Sequence, residues 1–91
     1  MARGILFSPK AWSDYLYWFE QNDINHAKII ALLKECQRDL FKGTGQPEGL
    51  KGDWKGWWSR RITDEHRLVY CGRGGADGQV EVAQCRYHYN K

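Results

Sequence analysis

The apolar pattern of this chain is helical over most of its first half and strand-like in its second, and that change of period restricts it to an α+β fold. In the first half the period is helical. Ser8 followed by Pro9 is a helix start, with Ser as N-cap and Pro at the first helical position. Trp12, Tyr15, Leu16 and Phe19 then fall at i, i+3, i+4 and i+7, one apolar stripe on a helix running to about residue 21. Tyr17 and Trp18 lie off that stripe, packed sideways or exposed to a partner. Asp23 reads as the N-cap of a second helix over about 24–40, where Ile29, Leu33, Cys36 and Leu40 keep helical spacing and Ile30 and Leu32 widen the face. Gly43 stands where a C-cap glycine belongs. So short a link between the helices predicts an antiparallel hairpin.

Elsewhere the pattern is that of strands. Residues 3–7 form a short first strand. Residues 42–56, with five glycines, Pro47 and several lysines, form an ordered loop ending in a short turn. Strands follow over 57–63 and 66–72, joined through Thr63-Asp64-Glu65. Alternation puts Arg67, Val69 and Cys71 on one face and His66, Leu68 and Tyr70 on the other. A glycine-rich hairpin loop from Gly72 to Gly78 leads to a last strand over about 79–88. There Val80, Val82, Gln84, Arg86 and His88 share one side, and Ala83, Cys85, Tyr87 and Tyr89 the other. The order is β-α-α-β-β-β, a two-helix hairpin packed on a mostly antiparallel sheet, in one domain over 1–91.

Composition narrows the function classes. The net charge is +3, and residues 42–61 alone carry that excess through Lys42, Lys51, Lys55, Arg60 and Arg61 against Glu48 and Asp53. A basic stretch among aromatics suits a polyanion such as RNA, and equally an ordinary solvated loop. Cys36, Cys71 and Cys85 are odd in number and lack ligand spacing, so they read as reduced, buried thiols of a cytoplasmic protein. No apolar run has the length of a membrane span, and no charged-then-apolar leader precedes the first strand.

RNA is cleaved when its own 2′-hydroxyl attacks the neighbouring phosphate, which calls for a base, an acid and fixed cations. Glu48, ionised at neutral pH in a glycine-flanked loop, is the candidate base, although it also fits an ordinary surface carboxylate. His88 is the candidate acid, or a surface histidine near the chain end. His26 and His66 are weaker candidates. Arg67 sits mid-strand, where a charge needs a reason: a bidentate grip on phosphate, or an ion pair with Glu48 or Glu81. Lys51, Lys55, Arg60 and Arg61 would extend a phosphate track or serve as solubilising charges. Trp57, Trp58, Tyr87 and Tyr89 offer stacking surfaces for splayed bases, with one tryptophan inward, one outward, and Tyr87 on the core side. No metal cluster, phosphate-binding glycine loop or dinucleotide fingerprint is present, so no cofactor is expected.

Long words of the chain resemble the YoeB/Txe branch of the RelE-like bacterial toxins. They are Phe7-Ser8, Trp12 through Trp18, Gly43 through Glu48, Trp58 through Thr63, Glu65 through Tyr70, and Cys85 through Tyr89. The resemblance implies the RelE-like fold and a toxin of a type II toxin–antitoxin pair that enters the ribosomal A site, cleaves the bound mRNA and stops translation. It implies that Glu48 is the base, Arg67 the phosphate-stabilising cation, His88 the acid and Tyr89 a supporting group. It implies a neutralising YefM-like antitoxin partner and leaves homodimerisation open. Three features depart from the family pattern: Asn90 and Lys91 beyond the tyrosine, a longer 72–79 hairpin, and Gly49 where a second proline is common. Two other readings remain: a non-catalytic inhibitor on the same scaffold, like the gyrase-blocking relatives, and a plain RNA-binding module.

Overall fold

The computed structural model describes residues 3–75 and 78–88. Its elements are β1 (Gly4–Phe7), α1 (Pro9–Gln21), α2 (Asp23–Arg38), β2 (Glu48–Gly49), a single 3-10 turn (Gly52–Trp54), β3 (Trp58–Arg61), β4 (Arg67–Arg73) and β5 (Gln79–Gln84). The strands make one sheet in the order β1-β5-β4-β3-β2, with β1 parallel to β5 and every other pair antiparallel. The expected α+β architecture is present, with β2 as an added edge strand inside the segment read as loop.

Local chemistry sets the helix ends. Ser8 Oγ accepts from the Ala11 amide at 3.0 Å, and Pro9 opens α1. One residue, Asn22, closes both helices: its amide donates to Trp18 O at 3.0 Å and its Oδ1 accepts from the Asn25 amide at 3.0 Å. Asn22 therefore takes the N-cap role expected of Asp23. Asp23 becomes the first helical residue, its charge at the positive helix end. α2 stops at Arg38 with Asp39 as its cap, so Gly43 lies in the following turn and is not a C-cap. The cause is Arg60, which gathers the carbonyls of Asp39, Lys42 and Thr44 and so folds the chain back after the helix.

α2 buries the expected side chains, Ile29, Leu32, Leu33 and Cys36, against Leu68 and Tyr70 of β4 and Val80 and Val82 of β5. Burial pushes the Cys36 thiol up to about 11 and the Tyr70 hydroxyl to about 12. Gly72 is glycine because Leu40 packs where its Cβ would stand. All three thiols are free and buried.

α1 differs from expectation by one residue of rotation. Its buried positions are Ala11, Asp14 and Trp18, whereas Trp12 is 49 % and Phe19 61 % exposed. Polar docking decides this. Asp14 Oδ2 accepts from the Cys85 amide at 3.1 Å, Trp18 Nε1 donates to Cys85 O at 2.8 Å, and Cys85 Sγ lies 3.7 Å from Ala11 O. These are buried main-chain groups that need partners, and α1 presents the side that supplies them. Trp18 is thus core, not an exposed contact surface, while Tyr17 is half-buried beneath the Arg86 guanidinium.

β5 ends earlier than expected. Val69 pairs with Gln84 but Tyr70 with Val82, so Ala83 is an extra residue and the strand bulges. Beyond the bulge the faces exchange. Gln84 leaves the Val80/Val82 side, Cys85 enters the core, and residues 85–88 are no longer strand. Tyr87, expected on the core side, is 47 % exposed with φ of 65°.

Candidate active site

The helices cover one face of the sheet; the residues with chemical potential gather on the other. Register defines this face. Glu48 pairs with Ser59, Ser59 with Val69, and Val69 with Gln84, so one row crosses four strands with its side chains on a common side. Arg61 and Arg67, a pair two residues further along, share that side.

Glu48 stands on β2, not in a free loop. The chain reaches it through Gly45, whose φ of 88° lets its carbonyl accept from the Arg61 amide at 2.6 Å; a side chain there would press on the Arg61 backbone. Gln46, also in the left-handed region with φ of 53°, and Pro47 then deliver Glu48 to the sheet edge. The exposed carboxylate borders a cleft of about 520 Å³ lined by Gly49, Leu50, Lys51, Gly52, Asp53 and Trp54.

Arg67 pairs with no carboxylate among the described residues. Its Nη1 donates to the carbonyls of Thr63 at 2.7 Å, Asp64 at 3.0 Å and His66 at 3.1 Å. Glu81, the alternative partner, is taken by Arg73 at 2.7 Å. The exposed His88 reaches the same turn, with Nε2 3.3 Å from Asp64 O. The Asp64 carbonyl therefore brings the arginine and the histidine side by side. Glu48 lies two strands from β4, about 10 Å away at ordinary strand spacing.

The chain beyond β5 is held group by group. Arg86 lies 3.5 Å above the Tyr17 ring and 4.6 Å from that of Tyr87. The Tyr87 amide donates to His66 Nδ1 at 2.7 Å, and its carbonyl accepts from the Arg67 amide at 3.0 Å. Gln84, 6 % exposed, donates to His88 O at 3.2 Å. Sequence reasoning missed Gln84 as a support because the bulge reverses its side. His66, expected opposite Arg67, stacks edge-on to Trp18 at 4.8 Å. Burial lowers its pKa, with Glu65 opposing and Arg86, His88 and Arg67 assisting. His26 packs between Tyr15 and Phe19, away from this face.

Two expected RNA contacts are corrected. Arg60 is fully buried on the helix side, bonded to Tyr70 Oη at 3.1 Å and Glu35 at 3.1 Å besides the three carbonyls. It pairs with Leu68, a core position, and is closed to a ligand. Trp58 pairs with Tyr70 on that side and packs against Phe41 at 4.7 Å, so it closes the core and does not face Glu48. Lys51, Lys55 and Arg61 remain exposed. Tyr89, Asn90 and Lys91 lie outside the described residues, as does the tip of the 72–79 hairpin.

A two-helix hairpin on one side of a mostly antiparallel sheet, with Glu48 and Arg67 on the other and His88 at the turn before β4, defines a small RelE-like toxin domain. The family model of the YoeB-like toxin of bacterial type II toxin–antitoxin systems matches residues 7–89, and the chain belongs to that family. Toxin YoeB of Escherichia coli K12 is 47 % identical over 85 residues, 93 % of this chain and 98 % of its own. A YoeB/ParE toxin from Agrobacterium tumefaciens superposes with a TM-score of 0.90 at 43 % identity, covering 94 % of this chain and 99 % of that one. The Staphylococcus aureus YoeB dimer and the heterotetrameric YoeB–YefM toxin–antitoxin complex each match 98 % of this chain and 100 % of theirs, at a TM-score of 0.86 and 40 % identity. The chain is thus the toxin component of a type II toxin–antitoxin system.

Proposed function

We propose that this toxin is a ribosome-dependent endoribonuclease that cuts mRNA in the A-site codon and so inhibits translation. The observation that supports it most is the meeting of Arg67 and His88 at the Asp64 carbonyl, with Arg67 on the same sheet face as Glu48. The Glu48 carboxylate takes the proton of a 2′-hydroxyl, and the 2′-oxygen attacks the adjacent phosphorus. Arg67 holds the negative charge that builds on the phosphorane. The bond from phosphorus to the 5′-oxygen breaks, and the His88 imidazolium gives that oxygen its proton. The products are a 2′,3′-cyclic phosphate upstream and a 5′-hydroxyl downstream. Tyr89, next to His88 in sequence, supports the site, and Lys51, Lys55 and Arg61 guide the phosphate chain.

The partners follow from this reading. A YefM-like antitoxin neutralises the toxin, as the S. aureus complex suggests, and the chain forms a homodimer as its S. aureus relative does. Ribosome and mRNA place its action in the cytoplasm. Mapping 5′ ends on a defined mRNA, with and without translating ribosomes, tests the proposal. Cuts confined to the A-site codon and dependent on ribosomes are expected. Cuts on free RNA would remove the ribosome requirement. A folded protein that shifts RNA on a gel without new ends is a binding module, and one that stops DNA replication before translation is a non-catalytic inhibitor.

A further inference from the structure

His66 lies on the wrong side of the sheet to touch RNA, yet it bonds to the segment that carries His88. Its Nδ1 accepts the Tyr87 amide at 2.7 Å, a short bond to a backbone held at φ of 65°. A tyrosine in the left-handed region is strained and persists only where its surroundings enforce it. Three contacts do so: His66 on the amide, the Arg67 amide on the carbonyl, and Gln84 on the next carbonyl. The His66 ring is fixed in turn by Trp18, itself bonded to Cys85 O, three residues before His88. We propose that His66 is a positioning residue for the general acid, holding the Tyr87 turn so that His88 faces the leaving oxygen. The inference rests on the reading of His88 as that acid.

The bond requires an unprotonated Nδ1. Protonation would set an N–H against the Tyr87 N–H and release the turn. The groups facing the ring are the uncharged Trp18 from α1, Glu65 and Arg67 from its own strand and turn, and Arg86, Tyr87 and His88 from the chain end. Burial and the cations keep the ring neutral near pH 7; Glu65, with Oε1 3.8 Å from Nε2, opposes them. The acid limb of activity, set below the ordinary histidine range by that burial, therefore belongs to His66.

The test is single-turnover cleavage of ribosome-bound mRNA by the wild type and by the His66→Leu, His66→Asn and His88→Ala proteins. Asn sets an amide oxygen where Nδ1 stands. His66→Leu is expected to lose about 10²-fold in rate at an unchanged half-saturating concentration, the cost of a misplaced group. His66→Asn is expected to stay within a few-fold of wild type and to lose the acid limb. In a His88→Ala background, His66→Leu should cause no further loss, because both act through one group. Wild-type cleavage by His66→Leu beside a disabled His88→Ala overturns the inference alone, as does full additivity. Should the Leu protein fail to fold, the Asn protein decides: an acid limb shared with wild type, or absent from both, overturns it. Wild-type cleavage by His88→Ala overturns the acid assignment and the inference together.

Discussion

Side chains of one type serve opposite purposes here, and surroundings separate them. Arg60 and Arg61 are neighbours in sequence, yet one is sealed under α2 and the other stands on the open face. Replacing Arg60 by Met removes the side-chain donor to the Asp39, Lys42 and Thr44 carbonyls and one partner each from Tyr70 Oη and Glu35, which keep Leu40 O and the Thr44 amide. The expected cost is about 3 kcal/mol or more, read as a lower urea midpoint at unchanged slope. Replacing Glu48 by Gln should slow cleavage by about 10²–10⁴-fold and leave the melting temperature in place, since the carboxylate is exposed. His66 contributes to the pH dependence of folding near neutral pH, as Glu35 and Asp39, held below the usual carboxylate range chiefly by backbone and side-chain hydrogen bonds, do in acid. The native pKa of His66 is depressed, so the unfolded chain binds the proton more readily. Its contribution is complete above pH about 6.5 and is lost as pH falls through the native value; urea titrations at several pH values will show it.

At the level of elements, hydrogen bonds to buried backbone outweighed the apolar stripe. The stripe of Trp12, Tyr15, Leu16 and Phe19 was a sound reading of period, yet α1 turned to give Asp14 and Trp18 to Cys85. Trp18→Ala should accordingly cost about 3–5 kcal/mol. Phe19→Ser, on the stripe that period alone would bury but 61 % exposed, should cost clearly less than Trp18→Ala. Chemical denaturation of the two variants distinguishes the observed helix face from the one period alone implies. The other element-scale surprise, the bulge at Ala83, moved Gln84 to the face of Val69 and brought Cys85 into the core. No residue type marks that bulge, because it answers a pairing with β4 and not a local preference.

Across the whole molecule the sheet separates the helices from the candidate site. One face takes the helices; the other carries Glu48, Arg61 and Arg67, the groups that the proposed function sets against RNA. With a net charge of +3, electrostatics contributes to any such contact. Exchanging Lys51, Lys55 and Arg61 for Ala should weaken ribosome or RNA binding. The salt slope of log K should fall by about 0.7 per lost phosphate contact on a single strand, measured by binding titrations at several salt concentrations.

The sequence alone determined the order of the two helices and the four longer strands, the Ser8-Pro9 start of α1, the core face of α2 and the two faces of β4, and it offered Glu48, Arg67 and His88 as chemical types. Each of these rests on local spacing or on the intrinsic chemistry of a side chain, and both are legible one residue at a time. Tertiary structure alone decided that α1 turns on Cys85, that Arg60 is buried, and that His66 and Gln84 hold the chain end. Those outcomes depend on which distant backbone groups are left without partners once the sheet forms. Such groups lie tens of residues away in sequence, as Trp18 does from Cys85 and Arg60 from Asp39, and no local pattern points to them.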